Sequence, residues 1–191
     1  TAAHTNPAQT DAPILDVLAE RWSTRVFDAN ADLDDTALES ALEAARWTPS
    51  ANNTQPWRFI VARRGTPAFE AVHDALRGFN KSWTSAAGAL VVFVAETETE
   101  DGTPLKMAAY DLGQAAAHFT VQAHADGLHT HQMGGFDAEA VARHFSLESR
   151  FTPMTVMAVR LLGGIEAVSD RRRRPPAAPA TSCGSSPWGR G

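Results

Sequence analysis

Three short stretches of this chain gather residue types that could hold a ligand. Arg21-Trp22-Ser23-Thr24-Arg25 places two arginines among hydroxyl side chains. Guanidinium forks beside a hydroxyl can donate several charge-assisted hydrogen bonds to one phosphate, although an exposed charged turn has the same composition. Thr48-Pro49-Ser50-Ala51-Asn52-Asn53-Thr54-Gln55-Pro56-Trp57 concentrates hydroxyl and amide groups between two prolines. Such groups can read the edge of a heterocycle, or satisfy one another in a polar loop. Gln132-Met133-Gly134-Gly135-Phe136-Asp137 puts paired glycines at the end of a strand-like run. Without Cβ atoms the backbone there can approach a planar ligand closely, or simply turn into a helix.

These stretches need elements to position them. Ile14, Leu15, Val17 and Leu18 form an apolar stripe on a short helix ending near Arg21, ahead of the first stretch. A clearer helix runs from Asp34 to Trp47, with Thr36 and Glu39 spaced as a capping box and Leu38, Ala41, Leu42 and Ala45 at helical intervals. It delivers the second stretch, which leads into a strand over Trp57–Ala62. A helix over Pro67–Leu76 and a loop through Asn80 follow. Ala89–Ala95, rich in valine, has the pattern of a buried strand. The longest helix spans Pro104–Gly127, with Leu112, Ala116, Phe119 and Ala123 on one face and Gly127 as its natural stop. Strands over Leu128–Met133 and Met154–Leu162 flank a helix at Asp137–Phe145, so the third stretch bridges strand and helix. Helices and strands mix without regular βαβ alternation, which predicts an α+β architecture.

A chain of 191 residues suits one domain. With 43% hydrophobic and 20% charged residues it has the composition of a soluble globular protein. A net charge of −5 argues against nucleic-acid or anionic-membrane partners. The run Arg171–Arg174 lacks the interleaved aromatics of a nucleic-acid tail. A lone Cys183 excludes an intrachain disulfide, and no cysteine pairs suggest zinc. His118, His124, His129 and His131 cluster in sequence without an HExxH motif or partnering carboxylates, so no metal is expected. Thr1–Pro13 lacks a signal-peptide pattern, and the longest apolar run, Ala86–Ala95, is about half a bilayer span. A cytoplasmic location is expected.

In this order, Arg-x-Ser-x-Arg, Pro-Ser-x-x-Asn-x-Gln-Pro-Trp and Gly-Gly-Phe-Asp resemble the nitroreductase-like FMN-dependent oxidoreductases, with matching spacing from Ile14 to Leu162. The resemblance implies a central, mostly antiparallel sheet flanked by helices, an intertwined homodimer, and FMN bound by both protomers. It divides the chain into a flexible arm (1–13) and an FMN-binding domain (14–191), whose tail (169–191) packs on the partner. By position, Arg21, Trp22, Ser23 and Arg25 would hold the phosphate, the ribityl chain and the flavin O2 side, with Arg25 supplying the electrostatics. Pro49, Ser50, Ala51 and Asn53 would approach from the other protomer. Asn80 matches the amide at the pyrimidine edge, and Trp83 stands where many members carry a lysine. Gln132 and Met133 would also contact the cofactor and lead to Gly134, whose N–H would face flavin N5, with Gly135 beside it. Several members carry an acid where this chain has Gly134. Both departures leave the expected pocket less charged. Arg171 and Arg173 match a basic pair at the phosphate. NADH or NADPH would supply electrons, passed by a ping-pong mechanism to a small organic acceptor such as a nitroaromatic or quinone. That chemistry needs placement and tuned charge rather than a catalytic acid–base pair. The alternative is a non-catalytic FMN-binding or flavin-storage protein on the same fold.

Overall fold

Side-chain caps, prolines and one glycine set the element boundaries in the computed structural model, which describes residues 7–164. Asp34 accepts hydrogen bonds from the N–H groups of Thr36 and Ala37, at 2.9 and 3.3 Å, and opens helix α2, Asp35–Arg46. The capping box expected from Thr36 to Glu39 is therefore replaced by a carboxylate two residues upstream, a stronger acceptor for those orphan donors. Thr66 caps α3 (Pro67–Ala75) through Phe69 N–H. Asp137 caps α6 (Ala138–His144) through Ala140 N–H. Helix α1 is only Asp16–Glu20. Beyond the loop through Asn80 lies a helix that the sequence pattern does not announce: α4, Lys81–Thr84, preceded by a 3-10 turn at Gly78–Asn80. The Ser82 and Thr84 hydroxyls donate back to the carbonyls of Phe79 and Asn80 and close these turns.

The longest helix, α5, is Ala108–Ala125 and starts later than Pro104. Pro104 forms an isolated bridge with Glu98, and Leu105 donates its N–H to Thr97, so this segment closes a loop instead. The helix stops at Gly127, where φ is +83° and the N–H reaches the His124 carbonyl. That left-handed conformation carries no Cβ penalty in glycine.

Among the described residues, four strands form a wholly antiparallel sheet in the order β1-β2-β4-β3: β1 Trp57–Arg63, β2 Ala89–Glu96, β3 His129–Met133 and β4 Phe151–Arg160. Strand β4 begins before Met154 despite Pro153. The register with β2 shifts beside Val94, Pro153's partner, and β3 covers only Val156–Arg160, so the missing proline N–H is tolerated there. All of β2 is buried, as its unbroken apolar run requires. Its alternate residues feed two cores. Ala89, Val91, Phe93 and Ala95 face α2 and α5, against Leu38, Ala41, Leu112, Ala116 and Phe119. Leu90, Val92 and Val94 face the opposite layer, with Phe69, Val72, Leu76, Trp83 and Val141. The result is a sheet between two helical layers.

Glu96 closes one end of the sheet. Its buried carboxylate accepts from Arg58 of β1 at 2.6 Å and from Arg150, just ahead of β4. Arg150 in turn lies 4.3 Å from the Phe151 ring centroid. Removing the acid leaves two guanidinium groups without their shared counter-charge. Glu96→Gln should lower stability by about 2 kcal/mol, below the cost of breaking a fully buried pair because Arg58 is half exposed. A shift of the urea midpoint at unchanged slope checks this.

Candidate functional site

The segment Arg21–Arg25 runs extended, so its side chains alternate. Trp22 and Thr24 are buried, Arg21 and Ser23 are half-buried, and Arg25 is exposed. Trp22 packs edge-on against His129 of β3, ring centroids 5.0 Å apart. His131, two residues along the same strand face, donates from Nδ1 to the Thr24 carbonyl at 2.8 Å. Trp83 is buried beneath this crossing, its ring 4.6 Å from His131 and 6.0 Å from Phe27. Its ring thus packs against the histidine that holds the Thr24 carbonyl. The histidines of α5 and β3 serve as edge-on or tilted ring contacts and hydrogen-bonding partners. Among the described residues no group of histidines, cysteines and acids could hold a metal ion.

The outward side chains meet a second element. The Arg25 guanidinium lies 5.9 Å from the ring centroid of Phe79, which is 70% exposed. Next to it, Asn80 donates from Nδ2 to the Gly135 carbonyl at 3.2 Å, and Arg77 N–H donates to the same oxygen at 2.9 Å. A Cβ on Gly135 would stand 3.0 Å from Asn80 Nδ2, close enough that the amide would have to shift. A Cβ on Gly134 would meet nothing within 4 Å. Gly134 is exposed, with open space beside its backbone. Met133 is buried in the core, so only its backbone faces this region, while Gln132 sends its amide to Thr120 of α5 at 3.5 Å.

Asp137 fixes the far side of the glycine loop. It caps α6 and pairs with Arg77 at 3.1 Å. Its carboxyl is held below the ordinary aspartate value, first by the Ala140 N–H and then by Arg77. A depressed folded value means that the stabilisation is present above the unfolded pKa, about 4, and is lost as pH falls through the folded one. Protection factors at Phe136–Ala140, taken relative to the intrinsic exchange rate at each pH, should therefore fall below about pH 4 ahead of those in β2. An equal fall throughout would remove Asp137 as the cause.

The Pro49–Gln55 loop belongs to the other layer. Ala51 N–H donates to Asp111 Oδ2 of α5 at 3.0 Å, and Thr48 Oγ1 bonds His118 Nδ1 of the same helix at 2.8 Å. Ser50 Oγ accepts from Gln55 N–H at 3.0 Å. Asn52, Asn53 and Gln55 adopt φ values of 53°, 56° and 48°. Asparagine tolerates this left-handed region better than most residues. Pro49 and Asn53 are exposed, Ser50 and Ala51 half-buried.

The chain therefore brings together Arg25, Phe79, Asn80 and Gly135, with Gly134 beside them, and fastens the Pro49–Asn53 loop to α5 instead. Arg171, Arg173, Cys183 and the segment 169–191 lie outside the described residues. Sequence reasoning missed Asp111, which is 2% exposed. The available signal was an acid inside the apolar run Ala108–Ala123, where a buried carboxylate needs a donor.

The family model described as the nitroreductase family matches residues 18–163, a span that includes each of these stretches. The chain belongs to the nitroreductase family. Among relatives, an uncharacterised 15.4 kDa protein of Mycolicibacterium smegmatis is 37% identical over 129 residues, which is 62% of this chain and 86% of that protein. The oxygen-insensitive NAD(P)H nitroreductase of Salmonella typhimurium is 25% identical over 189 residues, covering 76% and 87%. The crystal structure of an oxidoreductase containing FMN superimposes with a TM-score of 0.83 at 26% identity, covering 95% of this chain and 97% of the other. This family fold is the antiparallel sheet between helical layers described above.

Proposed function

We propose that this chain is an FMN-dependent NAD(P)H oxidoreductase. On this reading it works as a homodimer and passes electrons to a small organic acceptor such as a nitroaromatic or quinone. The carrying observation is the meeting of Arg25, Asn80 and the open backbone at Gly134 on one face of the chain. The residues fit the cofactor. Arg21, Ser23 and Arg25 supply cationic and hydroxyl donors for a phosphate-bearing ligand, and Gly134 leaves room for a flat ring. Asn80 spends its Nδ2 on Gly135, which leaves Oδ1 to accept from a ring N–H. FMN, when bound, supplies a reversible two-electron carrier. The protein's part is then to orient the ring and set the charge around it. No Gly-x-Gly-x-x-Gly loop is present for the pyrophosphate of a dinucleotide, which favours FMN over FAD.

A second copy of the chain is supported by the same arrangement. The Pro49–Asn53 loop is fastened to α5 on one face of the sheet, whereas Asn80 and Gly135 lie beside Trp83 and Phe136 of the opposite layer, so joining them around one ligand calls for two protomers. Leu15, Ile14 and Leu18 around α1, and Met107 and Tyr110 at the start of α5, are 43–69% exposed. An apolar set of this kind is what a partner covers.

Heat release of the bound cofactor, its identification by mass, and anaerobic mixing of the holoprotein with NADH and NADPH test the reading. FMN and bleaching of its yellow colour are expected. FAD, or no flavin after reconstitution, would overturn the assignment, and FMN that neither nucleotide bleaches would make the protein a flavin store.

A further inference from the structure

We propose that Asp111 is a positioning residue of the cofactor site, its buried carboxylate setting the backbone of Ser50–Asn53 and the face this loop turns toward a planar ligand. The assignment rests on the reading that this loop contacts FMN. Asp111 sits in the first turn of α5, 2% exposed, among Ala108, Leu112 and Ala115. A carboxylate in such a place is costly unless its oxygens are satisfied. Its donors are the Ala51 N–H at 3.0 Å and Gln114 Nε2 at 3.4 Å, both neutral, with the N-terminal dipole of α5 adding to them. Packing alone does not account for the acid, because a leucine would continue the apolar face of α5 without that desolvation cost.

The loop needs the restraint. Three of its non-glycine residues, Asn52, Asn53 and Gln55, occupy the left-handed region, which an unrestrained chain leaves readily. Asp111 and His118 lie two turns apart on α5 and fasten the loop at Ala51 and at Thr48. With the Ala51 N–H directed into α5 and the Ser50 carbonyl accepting from Asn53 N–H at 3.0 Å, the exposed edge of the loop is defined. That edge carries Pro49 and Asn53.

Asp111→Leu keeps the branched shape but offers no acceptor, whereas Asp111→Asn keeps an acceptor oxygen. Hydrogen exchange of the apoprotein over residues 49–55 and FMN affinity by quenching of flavin fluorescence are read for both. Asp111→Leu should raise Ala51 amide exchange and weaken the FMN Kd, each by about tenfold, and Asp111→Asn should stay within about threefold of the unaltered protein on both. If Asp111→Leu does not fold, Asp111→Ala takes its place. Unchanged Ala51 exchange overturns the clamp whatever FMN does. A loosened loop with unchanged FMN affinity overturns its role in the cofactor site. An unaltered protein that protects Ala51 yet binds no FMN leaves the clamp standing and sinks both the proposed function and the link to it.

Discussion

A hybrid dimer assembled from two inactive variants should regain about half the activity of the unaltered protein. One variant carries Arg21→Gln with Arg25→Gln, and the other carries Ala51→Trp in the loop on α5. On the proposed homodimer, each variant would have two defective sites and should fall by roughly a hundredfold or more, since charge-assisted donors or the loop face would be lost at both. In the hybrid, if a site takes its arginines from one protomer and its loop from the other, the two defects gather in one site. The second site then contains intact arginines and an intact loop. The expectation follows from the sheet that separates Ala51, bonded to Asp111 of α5, from Asn80, bonded to Gly135. Co-expression with two different affinity tags isolates the hybrid, and NAD(P)H oxidation with a nitroaromatic acceptor reads it. A hybrid as inactive as its parents would mean that one chain supplies both halves, and the shared-site reading would fall.

The parts of this molecule that were legible in the sequence are those where local pattern and tertiary environment agree. Leu38, Ala41 and Ala45, like Leu112, Ala116, Phe119 and Ala123, recur at helical spacing and are all buried where that spacing points. The valines of β2 are buried on both faces because helices cover both.

Other features depend on contacts between residues far apart in sequence, which no local pattern carries. Trp83 occupies a position associated with a cofactor-facing lysine, yet its ring turns inward because His131 and Phe27 offer it a stacking surface. Asp111 looks like an ordinary first-turn acid until Ala51, sixty residues earlier, is seen to donate to it. The first turn of the longest helix is lost to the bridge between Pro104 and Glu98.

Replacing Arg25 should change the redox potential of the bound cofactor, whereas replacing Arg21 should mainly weaken its binding. Arg21 closes α1, its N–H bonded to the Val17 carbonyl, and is half-buried. Arg25 is exposed beside Phe79, next to Asn80. Four residues of extended chain separate the two by about 13 Å, enough for one to serve a phosphate and the other a ring at the opposite end of the same ligand. A cation beside the ring stabilises the reduced state, which carries the added negative charge, more than the oxidised state. A cation on the phosphate sees the same charge in both states and leaves their difference unchanged. Arg25→Gln should therefore lower the two-electron potential by about 30 mV or more, the equivalent of about 1.4 kcal/mol of differential stabilisation, and slow reduction by NAD(P)H. Arg21→Gln should raise the FMN Kd with the potential held. Potentiometric titration of both variants at saturating FMN separates the two roles. If Arg21→Gln moves the potential and Arg25→Gln does not, the two arginines have exchanged roles along the ligand. If neither moves it, the tuning charge lies elsewhere, with Lys81 at the start of α4 the next cation to replace.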